Sequence, residues 1–513
     1  MYTFIIGLII LIGGGSLYGR FCEKVFRPDD RKTPAYANED GVDYVPMKQW
    51  KNCLVNLLNI AGTGPILGPI QGILFGPVAF ITIPIGCVIG GAMHDYFAGM
   101  ICTREGGIQT TEMVRRNLAR PVFWLFSVFV GLTMFLCGTV FIYTPGDIVS
   151  TQLFGFGGTA KEPSTWIIYG VIFAYYLIAT VLPIDKIIGK VYPIFGGLLI
   201  LSAIGILVML FVKGYPLAEI WGDWQLGGFD FGAYFRSQNF IPTFFVTVAC
   251  GILSGFHSTQ TALISRTIES EKHGRMTFYN MMILEGFIAL IWAAGAMAMI
   301  GLGADNAGIT MKFTDSGWGY YQNIGGTLQQ ISPTSVVGVV CKNMLGDWGG
   351  SLAIIGVIIL PISTGDTALR ALRLTIAELF HIEQKKMGQR LFLALPLFVL
   401  VTVILIWAKN DPNGFSVIWR YFGWANQTVS IFVTSSIMVW MIRSGRGKFA
   451  FMPAIPFVFY CFVISTYILS SPIGLKLAMN ISYIIGGVFT TAALTAVIIL
   501  GVRGKKCGSL RAG

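Results

Sequence analysis

The 513-residue sequence is 54% hydrophobic and only 12% charged, against about 25% charged for a soluble domain. A water-soluble core cannot absorb that much apolar surface, so the composition excludes a soluble globular protein and makes the lipid bilayer the obligatory partner. The formal net charge of +11 is dispersed over short segments without a basic stripe interleaved with aromatics, so no nucleic-acid partner is expected.

The predicted elements are about thirteen transmembrane helices, near residues 2–20, 52–72, 76–102, 121–143, 166–183, 191–212, 239–263, 279–301, 349–364, 391–407, 415–440, 450–470 and 474–501. The first lacks a basic n-region and a small-residue cleavage site and reads as a retained span. Residues 21–51 read as a polar connector, and 302–348 as a long mixed segment with a semi-apolar patch, Pro333–Leu345, that suits a short helix. Asp185 and Lys186 read as a solvated pair at a turn. Nine scattered cysteines without a CxxC pair argue against a disulfide framework or a zinc site.

Charge tests the count, because successive loops alternate sides. Twenty-eight of the 36 Lys and Arg residues fall in loops assigned to the cytoplasm, seven fall outside, and Arg420 alone lies within a span. The asymmetry places the N-terminus outside and the C-terminus in the cytoplasm; the cell inner (plasma) membrane is the expected location.

The second span reads NCLVNLLNIAGTGPILGPIQG and carries Gly62, Gly64, Pro65, Gly68 and Pro69 at mid-membrane. Proline removes a backbone donor and glycine tolerates unwound angles, so this helix is expected to break. Freed backbone groups are tolerated in a bilayer only where protein or a water-filled cavity surrounds them, as at transporter binding sites. Close glycine packing is the rival reading. Asn52, Asn56 and Asn59 align on one face leading into the break and are expected to face a cavity.

Five spans later, FFVTVACGILSGFHSTQTALIS repeats the glycine interruption at Gly251 and Gly255. An offset of five spans inverts the orientation, so residues 52–238 and 239–440 are predicted to form two inverted five-helix repeats. One helix precedes them and two follow, in 441–513. The fold class is therefore all-α integral membrane protein, and the function expected of paired inverted breaks is secondary transport.

DGVDYVPMKQW (Asp40–Trp50), NIAGTGPILGPIQG (Asn59–Gly72), GGAMHDY (Gly90–Tyr96) and SGFHSTQTA (Ser254–Ala262) together resemble the carbon starvation protein A (CstA) family. The resemblance implies import of peptides during carbon starvation, or proton-coupled pyruvate uptake, on the five-plus-five inverted fold of LeuT. It also implies a sodium site from a hydroxyl pair on the ninth span, here Ser363 and Thr364 with Asp366 just beyond, acting with carbonyls of the first broken helix.

Substrate, a peptide or a monocarboxylate, is accordingly expected between Asn59, Ala61, Gly62, Thr63, Gly64 and Pro65 on one side and Ser254, Gly255, Phe256, His257 and Ser258 on the other. His257 could meet a carboxylate or carry a proton; a packed histidine is the rival. His94 and Asp95 form an embedded ionisable pair, either a proton relay or a neutral clamp. Glu285, Arg420 and Asn426 are further intramembrane polar residues, and Arg420 is expected to find a carboxylate or carbonyl partner. The coupling ion is H+ or Na+, with no cofactor and no metal. No HExxH, GxSxG or GxxxxGK[ST] motif points to an enzyme, and a channel is disfavoured by the internal repeat.

Overall fold

The computed structural model describes residues 1–509 except 42, 182–183, 315–316, 381, 383–386 and 412–413. Side chains within 180–193, 314–317, 378–379 and 505–509 are likewise outside the description, and with them the expected Asp185–Lys186 pair.

The long helices are α1 (Tyr2–Phe26), the pair α2 (Gln49–Ile60) and α3 (Gly64–Phe75), α4 (Ala79–Arg104) and α5 (Arg120–Leu153). Next come α6 (Pro163–Val181) and α7 (Ile184–Val212), then three short pieces, α8 (Phe240–Thr247), α9 (Ala249–Ile252) and α10 (Gly255–Ile264). The chain continues through α11 (Glu271–Leu302), α12 (Pro333–Leu379), α13 (Met387–Asn410), α14 (Gly414–Arg443), α15 (Phe451–Ser470) and α16 (Met479–Ser509). Among the described residues, ten helices are long and apolar enough to cross a bilayer, or eleven when the bent α2–α3 pair is taken as one span. The other two of the thirteen expected segments are α6, which is short, and α8–α10, which is interrupted twice.

Burial separates centre from rim. The apolar windows of α4, α11 and α14 are 83% buried, whereas those of α1, α13 and α16 are 22–28% buried. Outward residues such as Leu17, Val399 and Ile484 are large, apolar and exposed, which is stable only where hydrocarbon replaces water.

Both breaks occur where the sequence places them, but with different bounds. α2 ends at Ile60 and α3 starts at Gly64, with a bend of 49° between them. Gly68 and Pro69 lie inside the regular helix α3, so unwinding is confined to Ala61–Thr63. The glycines of α3 serve packing instead. Gly64, Gly68 and Gly72 recur every four residues, and a Cβ on each would meet Cys250, the Thr247 carbonyl and Val248 respectively. This small-residue face lets the first broken helix lie directly on the second. The rival reading of the glycines is thus part of the answer.

Two elements depart from expectation. Residues Thr310–Thr314, Gly317–Ile324 and Thr327–Ile331 form an antiparallel three-stranded meander, β1–β2–β3, where only a mixed segment with a short helix was predicted. It is pinned to the bundle by the Tyr320 hydroxyl, which donates to the Ile70 carbonyl at 3.0 Å. The patch Pro333–Leu345 is helical and continues through a kink at Gly346, φ +72°, into the membrane portion of α12. α12 also runs past the expected end at 364, so Asp366, Arg370 and Arg373, assigned to a loop, are buried helix residues.

Gly64→Val is expected to lower the melting temperature of the purified protein, since overpacking costs about 1–3 kcal/mol, and Cys250→Gly in the same chain to restore part of the loss. A Gly64→Val protein that melts like the parent contradicts the contact.

Candidate functional site

Unwound backbone inside a bundle must find side-chain partners. At the first break, the Thr364 hydroxyl on α12 donates to the Leu58 carbonyl at 2.9 Å and to its own Leu360 carbonyl at 3.1 Å. Its neighbour Ser363 bonds back to Leu360 at 2.7 Å. At the second break, Leu253 and Ser254 are extended. Gln427 Nε2 on α14 donates to the Leu253 carbonyl, and the Asn426 Oδ1 accepts from the Phe256 N–H at 2.7 Å and faces Ser254 Oγ. Asn426 therefore caps α10, a task its amide suits because one end accepts while the other donates to Ser254 Oγ at 3.0 Å. A Cβ on Gly255 would strike the Asn426 carbonyl, so α14 approaches the break as closely as a backbone can.

The asparagine stripe does less cavity lining than expected. Asn52 Oδ1 accepts from Thr267 Oγ1 at 2.9 Å and Asn56 Nδ2 donates to the Thr277 carbonyl at 2.7 Å, so two of the three amides tie α2 to the far half. Asn59 is buried with no hydrogen bond on Oδ1, as is Thr63 on Oγ1.

Between the breaks lies an ionisable chain. Asp95 accepts through one oxygen from His94 Nδ1 at 2.8 Å and pairs through the other with His257 Nδ1 at 3.0 Å. His257 Nε2 faces Glu285 Oε2 at 3.4 Å. All four side chains are buried. His94 and Asp95 reach this point because α4 widens into a π-turn at Cys87–Gly91 and presents Gly91 against the Ile252 carbonyl, where a Cβ would clash. The chain thus joins α4, α10 and α11. Neither carboxylate oxygen of Glu285 makes a hydrogen bond, and the Nε2 atoms of both histidines are also unbonded. Isolated buried charges cost several kcal/mol each, so two carboxyls and two imidazoles away from water gain by lying next to one another. Among the described residues no group of three or more His, Cys, Asp or Glu is arranged to hold a metal ion.

Ala61 to Pro65 and Ser254 to Ser258 come together as neighbours: Gly64 lies on Cys250, and Phe141 of α5 covers Gly62 while meeting Phe256 edge-on at 6.4 Å. Asp366 stands apart, paired with Arg370 at 3.6 Å. Arg420 corrects an expectation. It is exposed at one end of α14, bonded to no carboxylate or carbonyl among the described residues, because Gly414 starts the helix only two turns earlier and keeps it near the mouth of a cavity.

Sequence reasoning missed two ionic latches. Lys409 of α13 meets Asp147 of α5 at 2.5 Å, with Thr334 and Ser332 also on Asp147. On the opposite face, Glu271 receives Arg104 at 2.5 Å and the Asp29 N–H at 3.1 Å, tying the 21–51 connector to α4 and α11. A lone acid at the end of an apolar stretch was the available signal for Asp147, but nothing local names a partner 262 residues away.

Known proteins similar to this chain point to one family and one fold. The family model described as carbon starvation protein CstA matches residues 1–155, 146–306 and 328–467. An uncharacterised membrane protein of Haemophilus influenzae is 39% identical over 58% of this chain and 91% of its own. The peptide transporter CstA of Mycobacterium tuberculosis is 24% identical over 86% of this chain and 71% of its own length, and that of Escherichia coli is 23% identical over 83% and 74%. Among solved structures, the Eremococcus coleocola manganese transporter aligns with a TM-score of 0.53 at 10% identity, over 91% of this chain and 98% of that one. A Na+-coupled sialic acid symporter in a substrate-bound outward-open state aligns at 0.51 with 13% identity, over 97% of each chain. At such identities the likeness is one of fold, the LeuT-like arrangement.

Asn426→Leu is expected to cost about 1–3 kcal/mol by leaving the Phe256 N–H without its partner and to speed amide exchange across 254–258. Exchange at the parent rate in hydrogen–deuterium measurements contradicts the capping role.

Proposed function

Given that the chain belongs to the carbon starvation protein CstA family, we propose that it is a secondary active transporter importing small organic nutrients, most simply peptides, by alternating access. The single observation that carries this reading is the meeting of two broken helices around a buried chain of ionisable side chains, His94–Asp95–His257–Glu285. Substrate would sit between Ala61–Pro65 and Ser254–Ser258, where half-helix ends offer N–H groups to a carboxylate. In this reading residues 52–238 and 239–440 are the inverted repeats, the protein lies in the inner membrane, and the N-terminus is outside.

The residue chemistry supports proton coupling. A substrate carboxylate entering beside His257 competes with Asp95 and Glu285 for the same protons, so substrate and proton occupancy are linked by charge. A pyruvate symporter would use the same arrangement. Sodium coupling is the second reading, favoured by Thr364 reaching the Leu58 carbonyl; a cation there would replace that hydrogen bond with hard oxygen ligands.

Proteoliposome uptake of labelled pyruvate and dipeptides, driven in turn by a proton and a sodium gradient, tests the proposal. Uptake driven by the proton gradient in the parent and abolished in a folded His257→Ala protein is expected. Parent-level uptake in that variant removes His257 from the coupling path, and no uptake under either gradient contradicts the transporter reading.

A further inference from the structure

A cavity of about 720 Å³ opens on the strand-bearing face, between β1–β3 and the ends of α3, α8 and α14, within the roughly 300–1,000 Å³ of small-ligand sites. Its floor includes Gln71, Thr247 and Trp419, and Trp419 lies against the Gly68 position, one turn beyond the first break. The cavity is therefore the antechamber of the buried site.

Its lining has an unusual charge balance. Arg420 is the one charged side chain among the residues described as lining it, and the rest are aromatic, amide, hydroxyl or aliphatic. Asp147, the acid behind the wall at Thr334, is already paired with Lys409. Arg420 is exposed and makes no ion pair or hydrogen bond among the described residues. A guanidinium on an otherwise uncharged, hydrogen-bonding, aromatic wall presents a planar fork of donors matched to a carboxylate, with ring faces for an apolar or amide body.

We propose that this vestibule is a second ligand site, in which Arg420 captures the carboxylate of an organic anion before it passes to the broken-helix junction. The ligand class is a small molecule with a free carboxylate, either a monocarboxylate or a peptide C-terminus. This rests on the transporter reading for its role in transport, though not for binding itself. The order of events follows a chain of ring contacts: Trp419 lines the cavity beside Arg420 and meets Phe422, Phe422 meets Phe141, and Phe141 covers Gly62.

The test is equilibrium binding to the full-length purified protein, read by fluorescence of Trp318 and Trp419 in the cavity wall, with pyruvate, dialanine and C-amidated dialanine as probes. The expected result is binding of either or both free acids, with the amide about tenfold weaker or more than its acid. Arg420→Gln should weaken the acids by about tenfold and leave the amide unchanged, and Arg420→Lys should restore part of the loss. Which acid binds identifies the carboxylate source. Arg420→Gln protein that binds the acids like the parent, a parent that treats acid and amide alike, or a parent that binds neither acid, each overturns the proposal. Arg420-dependent binding in a protein that takes up neither compound under any gradient would sustain the site while removing the transport reading.

Discussion

Everything at the centre of this molecule depends on one constraint: a backbone that leaves its helix inside a bilayer must have every freed polar group met by protein. The two breaks satisfy it by leaning on different helices. α12 lends Thr364 to the first and α14 lends Asn426 and Gln427 to the second. Such clamps cost little when made and much when removed, because an unpaired amide in a low-dielectric interior has no water to fall back on. The breaks can also touch each other directly, since Gly64, Gly68 and Gly72 leave room on α3 for Cys250, the Thr247 carbonyl and Val248. Irregular backbone and close approach are therefore one design.

The ionisable chain becomes intelligible on that scaffold. α4, α10 and α11 each contribute to it, and the π-turn at Cys87–Gly91 aims His94 and Asp95 toward the second break. Polar groups this deeply buried are retained where they carry a task, since an apolar replacement of the same shape is commonly as stable. Two latches flank the centre: Asp147–Lys409 near the strands and Glu271–Arg104 at the opposite face. Each joins elements distant in sequence, α5 with α13 in the first and the 21–51 connector with α4 and α11 in the second.

The breaks were legible because glycine and proline act locally. Gly62, Gly64 and Pro65 announce themselves by backbone chemistry, and an offset of five spans adds the inversion without any distance information. The same chemistry overreached at Gly68 and Pro69, because a sequence pattern cannot separate a glycine that unwinds from one that packs. Asn52 and Asn56 were expected to face a cavity, whereas they bond Thr267 and Thr277, partners more than 200 residues away that no local pattern names. The strands at 310–331 were hidden by their shortness and glycine content. Arg370 and Arg373 fell in the loop between the expected spans 349–364 and 391–407, whereas α12 carries them into the bundle, where Arg370 donates to the Ala179 carbonyl at 2.6 Å. The pairing of Asp147 with Lys409 lies beyond any local pattern, since it exists only once α5 and α13 pack.

The central claim is that the meeting point of the two broken helices exchanges protons with its ligand. It is tested most directly by counting protons released or taken up when the purified protein, in weakly buffered solution, binds a saturating carboxylate ligand. The account predicts an exchange of about one proton per protein, set by the competition for shared protons, and its loss when Asp95→Asn and Glu285→Gln are combined in a protein that still folds. Binding without proton exchange in the parent, or an undiminished exchange in the double variant, would contradict it.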